Sequence, residues 1–212
     1  LKVIVENYEN EEEWLPVENN PEDEQAGDRQ VPFTKEIYIE RFDFLEEAPR
    51  KFFRLAPGRV VRLKGAYIIE CTDYKKDKDG NVEEVYVKYF PESKSGQDTS
   101  GIKVKGTIHW VSAKYAKDAT IMAYDRLFLD PTPADHEGKD FLDFINPDSL
   151  ERIEGAKIEP ALEGAEYGKS YQFLRKGYYI LDKNSTEDQL LFNKTVALRD
   201  NWKKKQKQQR KK

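Results

Sequence analysis

The chain has 212 residues, 38% hydrophobic and 36% charged, with a net charge of −4. That length allows one large domain or two small ones, each with a modest core, and the lone Cys71 excludes an internal disulfide framework and a cysteine-based zinc site. No run approaches the roughly 18 apolar residues of a membrane helix, so no membrane partner is expected and a cytoplasmic location is.

In chain order, the first strand is expected over Leu1–Glu6, followed by acidic sequence unlike a secretory signal. Tyr8 to Asp28 is acidic and poor in apolar residues, so it is expected to be a long loop. A strand follows over Val31–Arg41, with the short apolar stretch Ile37-Tyr38-Ile39 flanked by charge, and a short helix over Leu45–Lys51. The next strand is expected over Val60–Glu70, with Ile68-Ile69-Glu70-Cys71 placing the cysteine as a buried structural thiol. Lys78-Asp79-Gly80-Asn81 is the strongest hairpin signal, because Asp-Gly accepts the positive φ that such turns require. Beyond it, Val82–Tyr89 alternates with the period of two that marks a half-buried strand.

Pro91 to Gly101, rich in Ser, Gly and charge, reads as a boundary between two β-units. Strands resume over Ile102–Ser112, Thr120–Leu129, Leu150–Lys157, Ser170–Leu181 and Leu190–Arg199, with a short helix over Lys139–Ile145 closed by Asn146-Pro147. Many short strands without βαβ alternation predict a mainly β protein of barrels or sandwiches. The expected units are residues 1–101 and 102–202, with an exchange of terminal strands between them left open. Residues 203–212 form a basic tail, expected to be disordered. That tail holds seven Lys and Arg and no acid, which leaves −11 on residues 1–202 and confines any attraction for nucleic acid to local patches.

Catalytic patterns are absent. His109 lies in Ile108-His109-Trp110-Val111 and reads as a hydrogen-bonded structural imidazole, whereas His136 lies in the polar Ala134-Asp135-His136-Glu137-Gly138 with no strong metal-ligand spacing. There is no Walker-type phosphate loop and no Gly-x-Ser-x-Gly elbow. What remains is cations among aromatics. Arg50-Lys51-Phe52-Phe53-Arg54 has the chemistry to stack unpaired bases and grip phosphates, and Arg59, Arg62 and Lys64 follow it. A second cluster comprises Lys169, Arg175, Lys176, Lys194 and Arg199. Composition alone favours ordinary solvated strand faces for both.

Specific strings shift that balance. Val3-Ile4-Val5-Glu6-Asn7-Tyr8, Arg29-Gln30-Val31-Pro32-Phe33, Lys105-Gly106-Thr107-Ile108-His109-Trp110-Val111-Ser112, Tyr124-Asp125-Arg126-Leu127-Phe128, Phe144-Ile145-Asn146-Pro147-Asp148-Ser149-Leu150 and Phe192-Asn193-Lys194-Thr195-Val196-Ala197-Leu198-Arg199-Asp200 resemble glutaminyl-tRNA synthetases, in the family's order, over nearly the whole chain. The resemblance implies two antiparallel six-stranded-type β-barrels, akin to a ribosomal RNA-binding protein, packed end to end and binding the anticodon loop of glutamine tRNA. It implies a monomer whose class I catalytic domain, using ATP and magnesium, lies upstream; this piece would hold no cofactor of its own.

By the same resemblance Arg54 contacts the third anticodon base, a guanine, and Arg62 and Lys64 flank the first. Lys51 stands where relatives can carry Gln, and Asn201 where they can carry Thr. Gln172 and Arg175 lie near the middle base, a uracil, and a further arginine of that pocket would precede Leu1. If RNA is read, Arg54, Arg62, Gln172 and Arg175 are expected to converge on one groove. The alternatives are a related glutamyl-tRNA synthetase, or a non-catalytic β-barrel scaffold that binds protein; the Ile-His-Trp-Val-Ser string and the Leu-Arg-Asp ending favour glutamine.

Overall fold

The computed structural model of the chain describes residues 1–20 and 22–198, so Arg199, Asn201 and the tail 203–212 lie outside the described residues. The strands are β1 (Lys2–Val5), β2 (Glu12–Glu18), β3 (Asp28–Thr34), β4 (Glu36–Ile39), β5 (Val60–Leu63), β6 (Ile68–Lys76) and β7 (Val82–Phe90), then β8 (Thr107–Ile108), β9 (Trp110–Ser112), β10 (Lys117–Tyr124), β11 (Leu150–Ile158), β12 (Ser170–Phe173), β13 (Gly177–Leu181) and β14 (Leu190–Val196). Among the described residues every helical segment is a short 3₁₀ turn, and no helix is long and apolar enough to cross a membrane.

Contacts divide the chain into two compact units, Leu1–Lys117 with Lys157–Glu163, and Asp118–Ala156 with the chain from Gly164 onward. The division falls at Lys117 rather than at Gly101. The physical reason is strand pairing: β8 runs parallel beside β5, and β9 pairs antiparallel with β4, so the chain is still building the first sheet after the polar loop.

The first unit is a barrel-like sheet of seven strands in the order β8-β5-β6-β7-β1-β4-β9, with the two-stranded β2-β3 ribbon beside it. Alternation does what period two requires: Val3, Val5, Ile37, Ile39, Val85 and Val87 are buried, and their odd–even neighbours less so. At the centre Tyr8 meets Phe33 edge-on at 4.9 Å, Phe33 meets Trp110 edge-on at 5.3 Å, and Tyr67 meets Tyr89 at 5.1 Å. Such pairs add about 0.5–1.5 kcal/mol each beyond their buried area. Their polar tips are satisfied, since Trp110 Nε1 donates to Lys64 O at 3.0 Å and Tyr67 OH donates to Glu13 at 2.6 Å. Cys71 is 1% exposed, and burial pushes its thiol up to about 11, so it serves as core filling.

Three local expectations change. Tyr8–Asp28 is no plain loop, because Glu12–Glu18 forms β2 against β3, burying Leu15 and Val17. The expected strands Val31–Arg41, Val60–Glu70 and Ser170–Leu181 are each two strands joined by a turn. Leu45–Lys51 is not helical. Pro49 denies that stretch a backbone donor, and the Arg59 guanidinium takes the carbonyls of Ala48, Pro49 and Phe52 at 2.7–3.1 Å. By contrast the Asp79-Gly80 turn joins β6 to β7 as expected, with Gly80 at φ 84° and the Asp77 carboxylate accepting from the N–H groups of Asp79 and Asn81 at 2.9 Å.

The second unit has a five-stranded sheet in the order β11-β10-β14-β13-β12. Its core is thinner: Ala119, Ile121, Tyr179, Leu190 and Phe192 are buried, with Phe173 stacked on Tyr179 at 4.2 Å. Lys139–Ile145 holds one 3₁₀ turn, Phe141–Phe144, closed at its start by an Asp140–Asp143 capping box.

Candidate nucleic-acid interface

Six cations and no acid occupy residues 50–64, a local reversal of an acidic chain. Arg54 is the one whose partner is a fully buried carboxylate. Its Nε lies 3.2 Å from Asp43 Oδ1, Nη1 donates to Phe42 O at 3.1 Å, and the guanidinium sits 5.0 Å over the Phe42 ring and 5.8 Å from that of Phe52. Asp43 is 0% exposed, while the Arg54 side chain is 38% exposed. A buried carboxylate therefore grips the inner edge of a fork whose outer part faces solvent, an arrangement that pre-orders a planar donor group for bidentate contact.

Gly106 links this residue to the next strand. Its carbonyl accepts from Arg62 N at 3.0 Å, and a Cβ there would sit 1.8 Å from Phe53 O and 3.7 Å from Arg54 N. Lys64 N in turn donates to Ile108 O at 2.9 Å. Arg62 and Lys64 thus lie along the β5–β8 pairing, and the backbone at Phe53 and Arg54 packs against Gly106 just ahead of β8. They differ in freedom, however. Arg62 donates to Ser93 O at 2.7 Å and pairs with Asp98, which leaves its side chain 19% exposed, whereas Lys64 is exposed. The Asp98 carboxyl is lowered by the Ser100 hydroxyl and backbone N–H, and then by Arg62.

Lys51 is exposed in the same loop. Arg59, grouped with these by sequence, instead holds that loop in shape through its three backbone acceptors. Sequence reading passed over Asp43, Asp98 and Lys105 as individual residues; Lys105 places its ammonium 5.3 Å over the Phe53 ring. A signal for Asp43 exists only as an acid in an apolar–aromatic segment, and which arginine it meets depends on folding.

In the second unit Gln172 lies on β12 directly opposite Tyr178 on β13, both exposed on one face of the sheet. Tyr171, Phe173 and Tyr179 fall on the other face, against Phe192. Arg175 sits in the connecting turn at φ 66°, the one non-glycine residue with positive φ among the described residues. That conformation is costly for a side chain with a Cβ and is a recurrent mark of functional loops. Lys169 pairs with Glu166 at 3.3 Å, and Lys194 lies on β14 opposite Tyr179.

The histidines have structural surroundings. Glu159 receives Arg29 in a two-pronged contact, at 2.5 and 3.0 Å, and lies 3.3 Å from His109 Nε2. Burial by itself would raise the Glu159 carboxyl, but the contacts from His109 and Arg29 outweigh it and hold it at about 2. His136 stacks on Phe144 at 4.5 Å and lies 3.3 Å from Asp130. Among the described residues no group of three or more His, Cys, Asp or Glu could hold a metal ion.

Residues 1–90 match the family model described as tRNA synthetases class I (E and Q), anti-codon binding domain, and residues 107–182 match a second model of the same description. A glutamine–tRNA ligase of Rhodopirellula baltica is 52% identical over 204 residues, covering 95% of this chain and 34% of the relative. One of Clostridium perfringens is 48% identical over 205 residues, covering 96% and 37%, and one of Vibrio parahaemolyticus is 49% identical over 204 residues, covering 95% and 36%. The chain spans about a third of the length of the curated relatives it matches.

Proposed function

The chain belongs to the tRNA synthetases class I (E and Q) through their anticodon-binding domain, and on that premise we propose that it reads the anticodon of glutamine tRNA for a glutamine–tRNA ligase. The ligase joins glutamine to its tRNA with ATP and magnesium, chemistry carried by the part of the relatives that this chain does not span. This part supplies recognition, as one RNA-binding partner of a monomeric enzyme in the cytoplasm.

The observation that carries the reading is Arg54, gripped by the buried Asp43 and presenting the rest of its fork to solvent. A guanine edge offers N7 and O6 as paired acceptors, which suits such a fork. Lys64, Arg62 and Lys51 supply positive charge to the first base and the backbone around it. Gln172 can both donate to and accept from the edge of a uracil, and Arg175 serves the same middle base. Asn201 belongs to the same proposed set and lies outside the described residues.

The test is binding of an anticodon stem-loop with the glutamine anticodon, compared with loops changed one base at a time. We expect the wild-type chain to discriminate against a cytosine in place of the third-base guanine, the change that converts a glutamine into a glutamate anticodon. Arg54→Ala is expected to remove about 1–3 kcal/mol of that discrimination. Equal affinity of the wild-type chain for all loops would overturn the reading; a preference for the cytosine loop would move it to the glutamate enzyme.

A further inference from the structure

Phe53 is 50% exposed although the backbone around it is fixed. Its carbonyl packs so closely on Gly106 that a Cβ there would sit 1.8 Å away, and the flanking Arg54 is held by Asp43. Phe52 is half-buried and faces the Arg54 guanidinium, so the two adjacent rings have separate surroundings. A scattered exposed apolar side chain needs no explanation, but this one carries the Lys105 ammonium 5.3 Å from its centroid, within a stretch of six cations and no acid. A ring on a rigid backbone with a cation beside it offers what an unpaired base requires: a π-face to stack on and a positive charge for the adjoining phosphate. An apolar protein partner would gain little from a surface so charged.

We propose that Phe53, with Lys105, is a stacking platform for one unpaired base of the anticodon loop, next to the base that Arg54 contacts. This rests on the anticodon reading above. Two variants of the full chain test it against the glutamine anticodon stem-loop. Phe53→Leu is expected to weaken binding about tenfold with no fall in melting temperature, because the ring is exposed. Phe53→Trp is expected to keep the affinity, and its added indole emission to be quenched when RNA is bound. In stem-loops with single abasic sites, one site is expected to cancel the Phe53→Leu defect and so identify the stacked base.

The proposal is overturned if Phe53→Leu binds as tightly as wild type, if no abasic site cancels the defect, or if the tryptophan is not quenched. Should Phe53→Leu prove unfolded, quenching of Phe53→Trp decides. Failure of the anticodon reading shows separately, as a wild-type chain that does not distinguish the loops at all.

Discussion

At the scale of single residues, the charged side chains divide by what holds them. Arg59 spends its guanidinium on three backbone carbonyls and Arg62 meets Asp98 and Ser93, whereas Arg54 keeps a solvent edge. Spacing in the sequence groups all three and cannot separate them, because their acceptors come from Ala48, Ser93 and Asp43, brought near only by folding. Asp43→Asn is expected to cost about 1–3 kcal/mol of stability, and to lower third-base discrimination although Arg54 is still present; urea melts and stem-loop binding measure the two effects. Wild-type discrimination in that variant would show that Arg54 needs no carboxylate to orient it.

Glu159 gives the second residue-level prediction. Its folded carboxyl, at about 2, lies below its ordinary value of 4.5, so the unfolded chain binds the proton more readily. The stabilisation is fully present above about 4.5 and is lost as pH falls towards 2, on the order of 3 kcal/mol in all. Glu159→Gln is expected to flatten the dependence of stability on pH in that window, measured by urea melts.

At the scale of elements, period-two patterning made β7 readable and Asp-Gly marked the hairpin that leads into it, whereas β6 was expected only as far as Glu70 and as one strand with β5. β2 escaped because Glu-Glu-Trp-Leu-Pro-Val-Glu shows only two inward residues, Leu15 and Val17, in an acidic stretch; it becomes a strand by pairing with β3. Non-local pairing of this kind overrides local composition. Gly106 shows the opposite case, a small residue whose importance lies in what it admits. Its missing Cβ allows the Phe53 carbonyl to approach, tying the Arg54 loop to the β8 edge. Gly106→Ala is expected to cost about 1–3 kcal/mol from overpacking and to weaken binding of the stem-loop together with stability, in thermal melts and titrations. An unchanged melting temperature would mean that the loop shifts without penalty.

At the scale of the whole molecule, charge distribution matters more than its sum. Residues 1–202 carry −11, so the proposed RNA binding draws on the local 50–64 patch, and the seven cations of residues 203–212 are a second source of positive charge to be tested. Deleting Lys203 to Lys212 is expected to flatten the salt dependence of binding, by about one unit of slope for each phosphate no longer neutralised, while base preference stays the same. A changed preference would place the tail in the reader.

The sequence by itself determined the β class, most of the main strands and the family, and it named the residues proposed as readers, because side-chain alternation, turn chemistry and ordered strings are local properties. Only the tertiary structure decided where the first unit ends, that Glu12–Glu18 is a strand, and which arginine a buried carboxylate orients. Those outcomes depend on partners far apart in the chain: β8 on β5, β2 on β3, and a buried Asp43 under Arg54. A charge in sequence shows its sign; the groups folded around it fix its direction and its use.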